Sequence, residues 1–82
     1  LVMLAAVYLE VSLDQVLDLV VAISIVMLAE MVNTSIEFLC DAVTLEHNEN
    51  IKRAKDVSAG AVLISAIFAA LIGLVVFIPK LL

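Results

Sequence analysis

The stretch from Val57 to Ile78 contains no charged residue. Twenty-two residues in an α-helix rise about 33 Å, enough to cross the roughly 30 Å hydrocarbon core of a bilayer. A helix on the surface of a soluble domain needs a polar face, and this one has none. The segment therefore commits the chain to a membrane. Composition agrees: 66% of the 82 residues are hydrophobic and the mean hydropathy is +1.30. That is too apolar for a soluble domain, and the chain is too short for two domains. The fold class read from these features is all-α, a single integral membrane unit over residues 1–82.

Three apolar segments set the organisation. Leu1 to Leu9 is too short to span, so the chain as given begins inside a helix. A second helix is expected from about Leu13 to Val43, because no Gly or Pro interrupts it. Ser12, with Gln15 three residues on, has the form of a capping box at its start. Residues 44–54 read as a polar connector, and a third helix is expected over 55–78, stopped or kinked by Pro79. Ala61, Ser65, Ala69 and Gly73 recur every fourth residue on that helix. Small residues at this spacing let backbones approach closely in lipid, so the face should pack on another helix.

Charge narrows the function. A net charge of -5 argues against nucleic acid, whose binders need a basic surface to release phosphate counterions. Glu10, Asp14 and Asp18 lie near the first connection, whereas Lys52, Arg53 and Lys55 lie near the second. Lys and Arg bias toward the cytoplasm, which places the second connection inside and the first outside, with Lys80 a dissenting vote. Cys40 is single and reads as a small buried hydrophobe. His47, a lone histidine in a polar connector, reads as a surface residue.

Glu30, Asn33, Thr34, Glu37 and Asp41 interrupt the apolar pattern of the second helix. At roughly 100° per residue they fall within about 100° of one another, with Glu30, Glu37 and Asp41 almost superimposed. A charged side chain at membrane depth costs about 2.5 to 3.5 kcal/mol, so the stripe needs a metal, a donor or a job. Glu30, flanked by the run Ile25 to Val32, suits a general base, and Glu37, nearer the aqueous end, suits a ligand for Mg²⁺. Two other readings share these residues. Glu30 and Asn33 can be interhelical glue in a non-enzymatic oligomer, or mark the path of a small ion conductor.

The segments AEMVNTSIEFLCD (Ala29 to Asp41) and AKDVSAGAVL (Ala54 to Leu63) resemble the prokaryotic diacylglycerol kinase and undecaprenol kinase family. The family pattern is E-x-x-N-[ST]-x-I-E-x-x-x-D followed, at matching separation, by A-K-D at the start of the last membrane helix. The resemblance implies a homotrimeric bundle of three-helix protomers in the bacterial inner (cytoplasmic) membrane. It also implies transfer of the γ-phosphate of MgATP to the hydroxyl of a membrane lipid at the cytoplasmic face. Glu30 then becomes the general base, with Asn33 beside it as a catalytic polar residue. Glu37 becomes the Mg²⁺ ligand, and Thr34 and Asp41 support the site. Lys55 is expected on the ATP phosphates and Asp56 at the nucleoside end. Glu46 matches a nucleotide-contacting connector that often reads E-Y-H in the family, but here His47 stands at the aromatic position and Asn48 at the His position, where backbone contacts would survive the change and an imidazole contact would need a shift of one residue.

The first dozen residues match that family only in apolar character. An amphipathic N-terminal helix that supplies a further acidic metal ligand in the family is not in the sequence as given: the resemblance needs such a segment before Leu1 for a complete site, and without it part of the active site is missing. The run DVSAGAVL and the ending FIPKLL look more like polyprenol kinases than diacylglycerol kinases, which favours undecaprenol as the acceptor and diacylglycerol next.

Overall fold

The computed structural model describes all residues, 1–82, and contains three helices: α1 (Val2–Tyr8), α2 (Leu13–Val43) and α3 (Glu49–Leu81). The long pair dominates. Leu19 meets Val76, Asn33 meets Ser58 and Asp41 meets Lys55, so position numbers fall on α2 as they rise on α3 and the helices run antiparallel. The molecule is a rod of 51 × 17 × 17 Å, about as long as α3 by itself at 1.5 Å per residue.

Residues shielded between the helices recur at alternating steps of three and four. On α2 the seam runs through Leu19, Ala22, Val26, Ala29, Asn33, Ile36 and Cys40. Facing it on α3 are Lys55, Ser58, Val62, Ser65, Ala69, Ile72 and Val76. A mean step of 3.5 is the heptad spacing, which keeps one stripe turned toward the partner along the whole length. The small-residue row of α3 is thus used within the chain only in part. Ser65 and Ala69 lie in this seam, whereas Ala61 is exposed and Gly73 stands beside the seam, not in it. Gly73 is not there for close approach, since a Cβ added to it would meet nothing within 4 Å.

Only six of the 82 residues are buried. The outward faces of α2 and α3 carry Ile25, Leu28, Val32, Leu63, Ile67 and Leu71, all exposed. The core helix of a soluble protein would be mostly covered, yet the spanning windows of these two are 11% and 6% buried. Apolar surface of this extent is stable against lipid and not against water. Both α2 and α3 are long and apolar enough to cross a membrane, which fits a membrane protein.

Helix ends follow local chemistry. Ser12 Oγ accepts the Gln15 N–H at 3.3 Å, the Ser half of the expected capping box. Helix α3 starts at Glu49, earlier than the connector reading placed it. Asn48 caps it, its Oδ1 accepting the N–H groups of Asn50 and Ile51 at 2.9 and 3.2 Å, and Glu49 sits at the positive end of the helix dipole. Pro79 does not stop α3, which continues to Leu81. So near the end the missing N–H removes one bond, and the Leu82 N–H still reaches the Ile78 carbonyl at 3.1 Å.

The turn after α1 holds the one non-glycine residue with positive φ, Glu10 at 55°. The Val11 N–H bonds the Ala6 carbonyl at 3.0 Å and the Glu10 N–H bonds the Val7 carbonyl at 3.2 Å. These two bonds around a left-handed residue make a Schellman cap, with Glu where Gly is usual. Val11 then packs beside Ala6, Leu19 and Val76, the three-residue core at this end of the rod.

Candidate functional site at the carboxylate end of α2

Continuity of α2 delivers the polar stripe as the sequence spacing requires, and packing against α3 then divides it. Glu30, Thr34 and Glu37 are exposed and make no hydrogen bond to α3 through their side chains. Neither Glu30 nor Glu37 enters an ion pair within the chain. Glu30 and Glu37 are seven residues apart, about 10.5 Å along the axis, with Asp41 about 6 Å beyond. The sequence reading gave Glu30 apolar neighbours from the run Ile25 to Val32, and two of these, Met27 and Met31, join Glu30, Thr34, Ser35 and Phe38 in lining an open hollow of about 480 Å³.

Asn33, which lies in the seam, and Asp41, which lies on the same side of α2 as Glu30 and Glu37, are the two members of the stripe that α3 reaches. The Ser58 hydroxyl donates to Asn33 Oδ1 at 2.6 Å, and Lys55 Nζ donates to Asp41 Oδ1 at 2.7 Å. Lys55 precedes the uncharged span. Its hydrogen bond to Asp41 raises its pKa above the usual lysine value, with desolvation pulling the other way and the charges of Asp41 and Glu37 adding to the rise. The ammonium is therefore charged throughout the physiological range.

Beyond Asp41 the connector folds back onto the start of α3. Glu46, His47, Asn48, Ile51, Lys52, Lys55 and Asp56 line a polar depression of about 210 Å³. All five residues matched to nucleotide contacts in the connector and the A-K-D motif thus share one surface. Four of the five side chains are already engaged: besides Lys55 with Asp41, Asn48 Oδ1 is committed to the α3 cap, Asp56 accepts from Lys52 Nζ at 3.0 Å, and His47 pairs with Glu49. His47 Nε2 lies 2.8 Å from Glu49 Oε1, and Glu46 donates its N–H to Thr44 Oγ1 at 3.0 Å. Whole-ligand pockets occupy about 300 to 1,000 Å³, and this depression is smaller than that range.

Sequence reasoning did not single out the Lys52–Asp56 pair or the contact of Ser58 with Asn33. Lys52 and Asp56 have the i, i+4 spacing of a helical ion pair, a signal available once α3 is known to begin at Glu49. Ser58 left no such signal, since its partner lies on the other helix.

No cluster of three or more His, Cys, Asp or Glu able to hold a metal forms on the chain. Mg²⁺ bound with substrate phosphates needs only one or two carboxylates, and keeps water on its other positions. The exposed, unpaired carboxylate of Glu37 fits that requirement.

Two long antiparallel spans, a flank of free carboxylates and a polar, lysine-bearing hollow at one membrane end define a membrane protein built around an end-on polar site. The chain belongs to the prokaryotic diacylglycerol kinase family, which it matches over residues 1–77. The match includes the first dozen residues, where the sequence had shown only apolar character. It is 46% identical over 52 residues to the undecaprenol kinase of Bacillus subtilis, covering 63% of this chain and 42% of that protein. It is 42% identical over 59 residues to the diacylglycerol kinase of Synechocystis sp., covering 71% of this chain and 34% of that protein. The matched segments thus span less than half of either relative. No solved structure matches the chain.

Proposed function

We propose that this chain is the membrane core of an ATP-dependent lipid kinase, and that its acceptor is undecaprenol before diacylglycerol. The observation that carries the reading is the order of groups along α2. An apolar hollow with the Glu30 carboxylate in its wall is followed by the free Glu37 carboxylate, then by the Asp41–Lys55 pair, then by the polar connector surface. Family membership and the names of both relatives support a lipid kinase, and the higher identity to the undecaprenol kinase supports the lipid choice.

Each group has a task in phosphoryl transfer, which asks mainly for positioning and charge neutralisation. Met27, Met31 and Phe38 offer a pliable apolar wall for the lipid chain, with thioethers that adapt to irregular shapes. Glu30 takes the proton of the lipid hydroxyl, and Asn33 orients the groups beside it. Glu37 holds Mg²⁺, which neutralises phosphate charge when bound. Lys55 turns its ammonium from Asp41 toward the phosphates, and Asp56 with Glu46, His47 and Asn48 contacts the nucleoside end. Thr34 and Asp41 keep the neighbouring side chains in place. A homotrimer, with an upstream acidic segment, encloses the site that one rod leaves open. The cluster of Lys52, Arg53 and Lys55 orients it to the cytoplasmic side of the bacterial inner membrane.

The test is transfer of labelled γ-phosphate from MgATP to undecaprenol and to diacylglycerol in mixed micelles, using the full-length protein. Label on undecaprenol that disappears in Glu30→Gln and Glu37→Gln supports the reading. Label on neither lipid from an assembled protein refutes it and leaves the stripe to oligomer contacts or an ion path.

A further inference from the structure

Ser58 is the one buried polar residue of the chain, 7% exposed. A serine inside a membrane helix ordinarily turns its hydroxyl back onto its own helix. Ser24 does so, donating to the Val20 carbonyl at 2.8 Å, and so does Ser65, donating to the Val62 carbonyl at 2.8 Å. Ser58 instead reaches across the seam to Asn33 Oδ1 at 2.6 Å. It makes the only side-chain hydrogen bond between α2 and α3 apart from the Asp41–Lys55 pair.

An asparagine amide has an acceptor end and a donor end. With Oδ1 taken by Ser58, the two N–H donors of Asn33 have no partner in the chain. Asn33 sits about 60° around the helix from Glu30. The opposite flip, with oxygen outward, would set an acceptor beside Glu30 and Glu37, two groups that also only accept when ionised. The Ser58 hydroxyl thus holds the amide against the seam, and the carboxylates decide which end faces outward.

We propose that Ser58 is a positioning residue for the phosphoryl-transfer site, acting through Asn33 by keeping the amide NH₂ aimed at the Glu30 flank. There the NH₂ donates to the general base or to the oxygen of the acceptor hydroxyl. The inference rests on the lipid-kinase reading. Removing the hydroxyl frees the amide to rotate, which lowers turnover without altering how tightly either substrate binds.

The test compares full-length wild type, Ser58→Ala and Ser58→Thr in the label-transfer assay, with Asn33 side-chain amide NMR signals recorded for each in micelles. A loss of about fivefold in kcat for Ser58→Ala, with both KM values within twofold and recovery in Ser58→Thr, is the expected result. The Asn33 NH₂ signals should move in Ser58→Ala and return in Ser58→Thr. Turnover in Ser58→Ala within twofold of wild type overturns the proposal, as does an equal loss in both variants. Wild-type Asn33 signals showing free amide rotation overturn it even where a variant fails to assemble. Absence of label transfer from wild type overturns the kinase reading instead, and the NMR result still decides whether Ser58 holds the amide.

Discussion

The two ends of the α2–α3 rod are fixed by different physics. At one end Ala6, Leu19 and Val76 form the only buried apolar cluster, with Val11, Val16, Ile72 and Phe77 packed around it. At the other end no large side chain is buried, and the helices are tied by Asn33–Ser58 and Asp41–Lys55. Apolar packing has no direction and tolerates small shifts, whereas a hydrogen bond specifies which atoms meet. The packed end can therefore anchor the pair while the polar end sets the rotation of α2 and keeps its carboxylates outward. A chemical site needs that orientation more than it needs stability, so the candidate site and the apolar packing lie at opposite ends.

This contrast predicts that variants separate by readout. The largest effect belongs to the free carboxylates: Glu30→Gln should lower kcat for lipid phosphorylation by about 10² to 10⁴, with assembly by gel filtration unchanged. Activity retained in Glu30→Gln would break the comparison at its polar end. Next, Leu19→Ala should lower unfolding stability by about 2 kcal/mol or more while leaving kcat within twofold. A matched loss of turnover there would show that the packed end is not merely an anchor. Lys55→Met should raise the KM for MgATP by roughly tenfold, the loss of a charge-assisted contact.

A smaller effect is expected from pH. The Lys55 pKa is raised in the folded state by Asp41, so this pair stabilises fully below the ordinary lysine range and is lost as pH rises through the folded value. The stability gap between wild type and Asp41→Asn should persist at neutral pH and close only at strongly alkaline pH, as read by thermal melts. A gap already closed at neutral pH would remove the ion pair from the polar end. Smallest is Glu10→Gly. Relief of the left-handed strain is partly offset by the greater freedom of glycine in the unfolded chain, so a stabilisation of about 0.5 to 1 kcal/mol is expected in the same melts.

Much of this was legible before any coordinates. The charge-free run of α3, the uninterrupted apolar pattern of α2 and the spacing of Glu30, Glu37 and Asp41 depend only on helix geometry, which is local and regular. For the same reason Ser12 could be read as a cap. The start of α3 at Glu49 was available in Asn48 followed by an acidic residue, a local signal that the polarity of the connector obscured. The Schellman turn was not available, because Glu10 stands where glycine would have announced it.

Sequence by itself determined that the chain is helical, that it lives in a membrane and that one helix carries a carboxylate stripe, since each follows from periodicity and hydropathy along a single segment. Only the tertiary structure decided how that stripe divides, with Asn33 and Asp41 taken by α3 and Glu30 and Glu37 left free. It also gathered the connector residues onto one surface and gave Ser58 its partner. Those outcomes depend on the rotation of two helices about their own axes. That rotation is set by side chains meeting across the seam, 25 residues apart for Asn33 and Ser58, a distance over which no local pattern reaches.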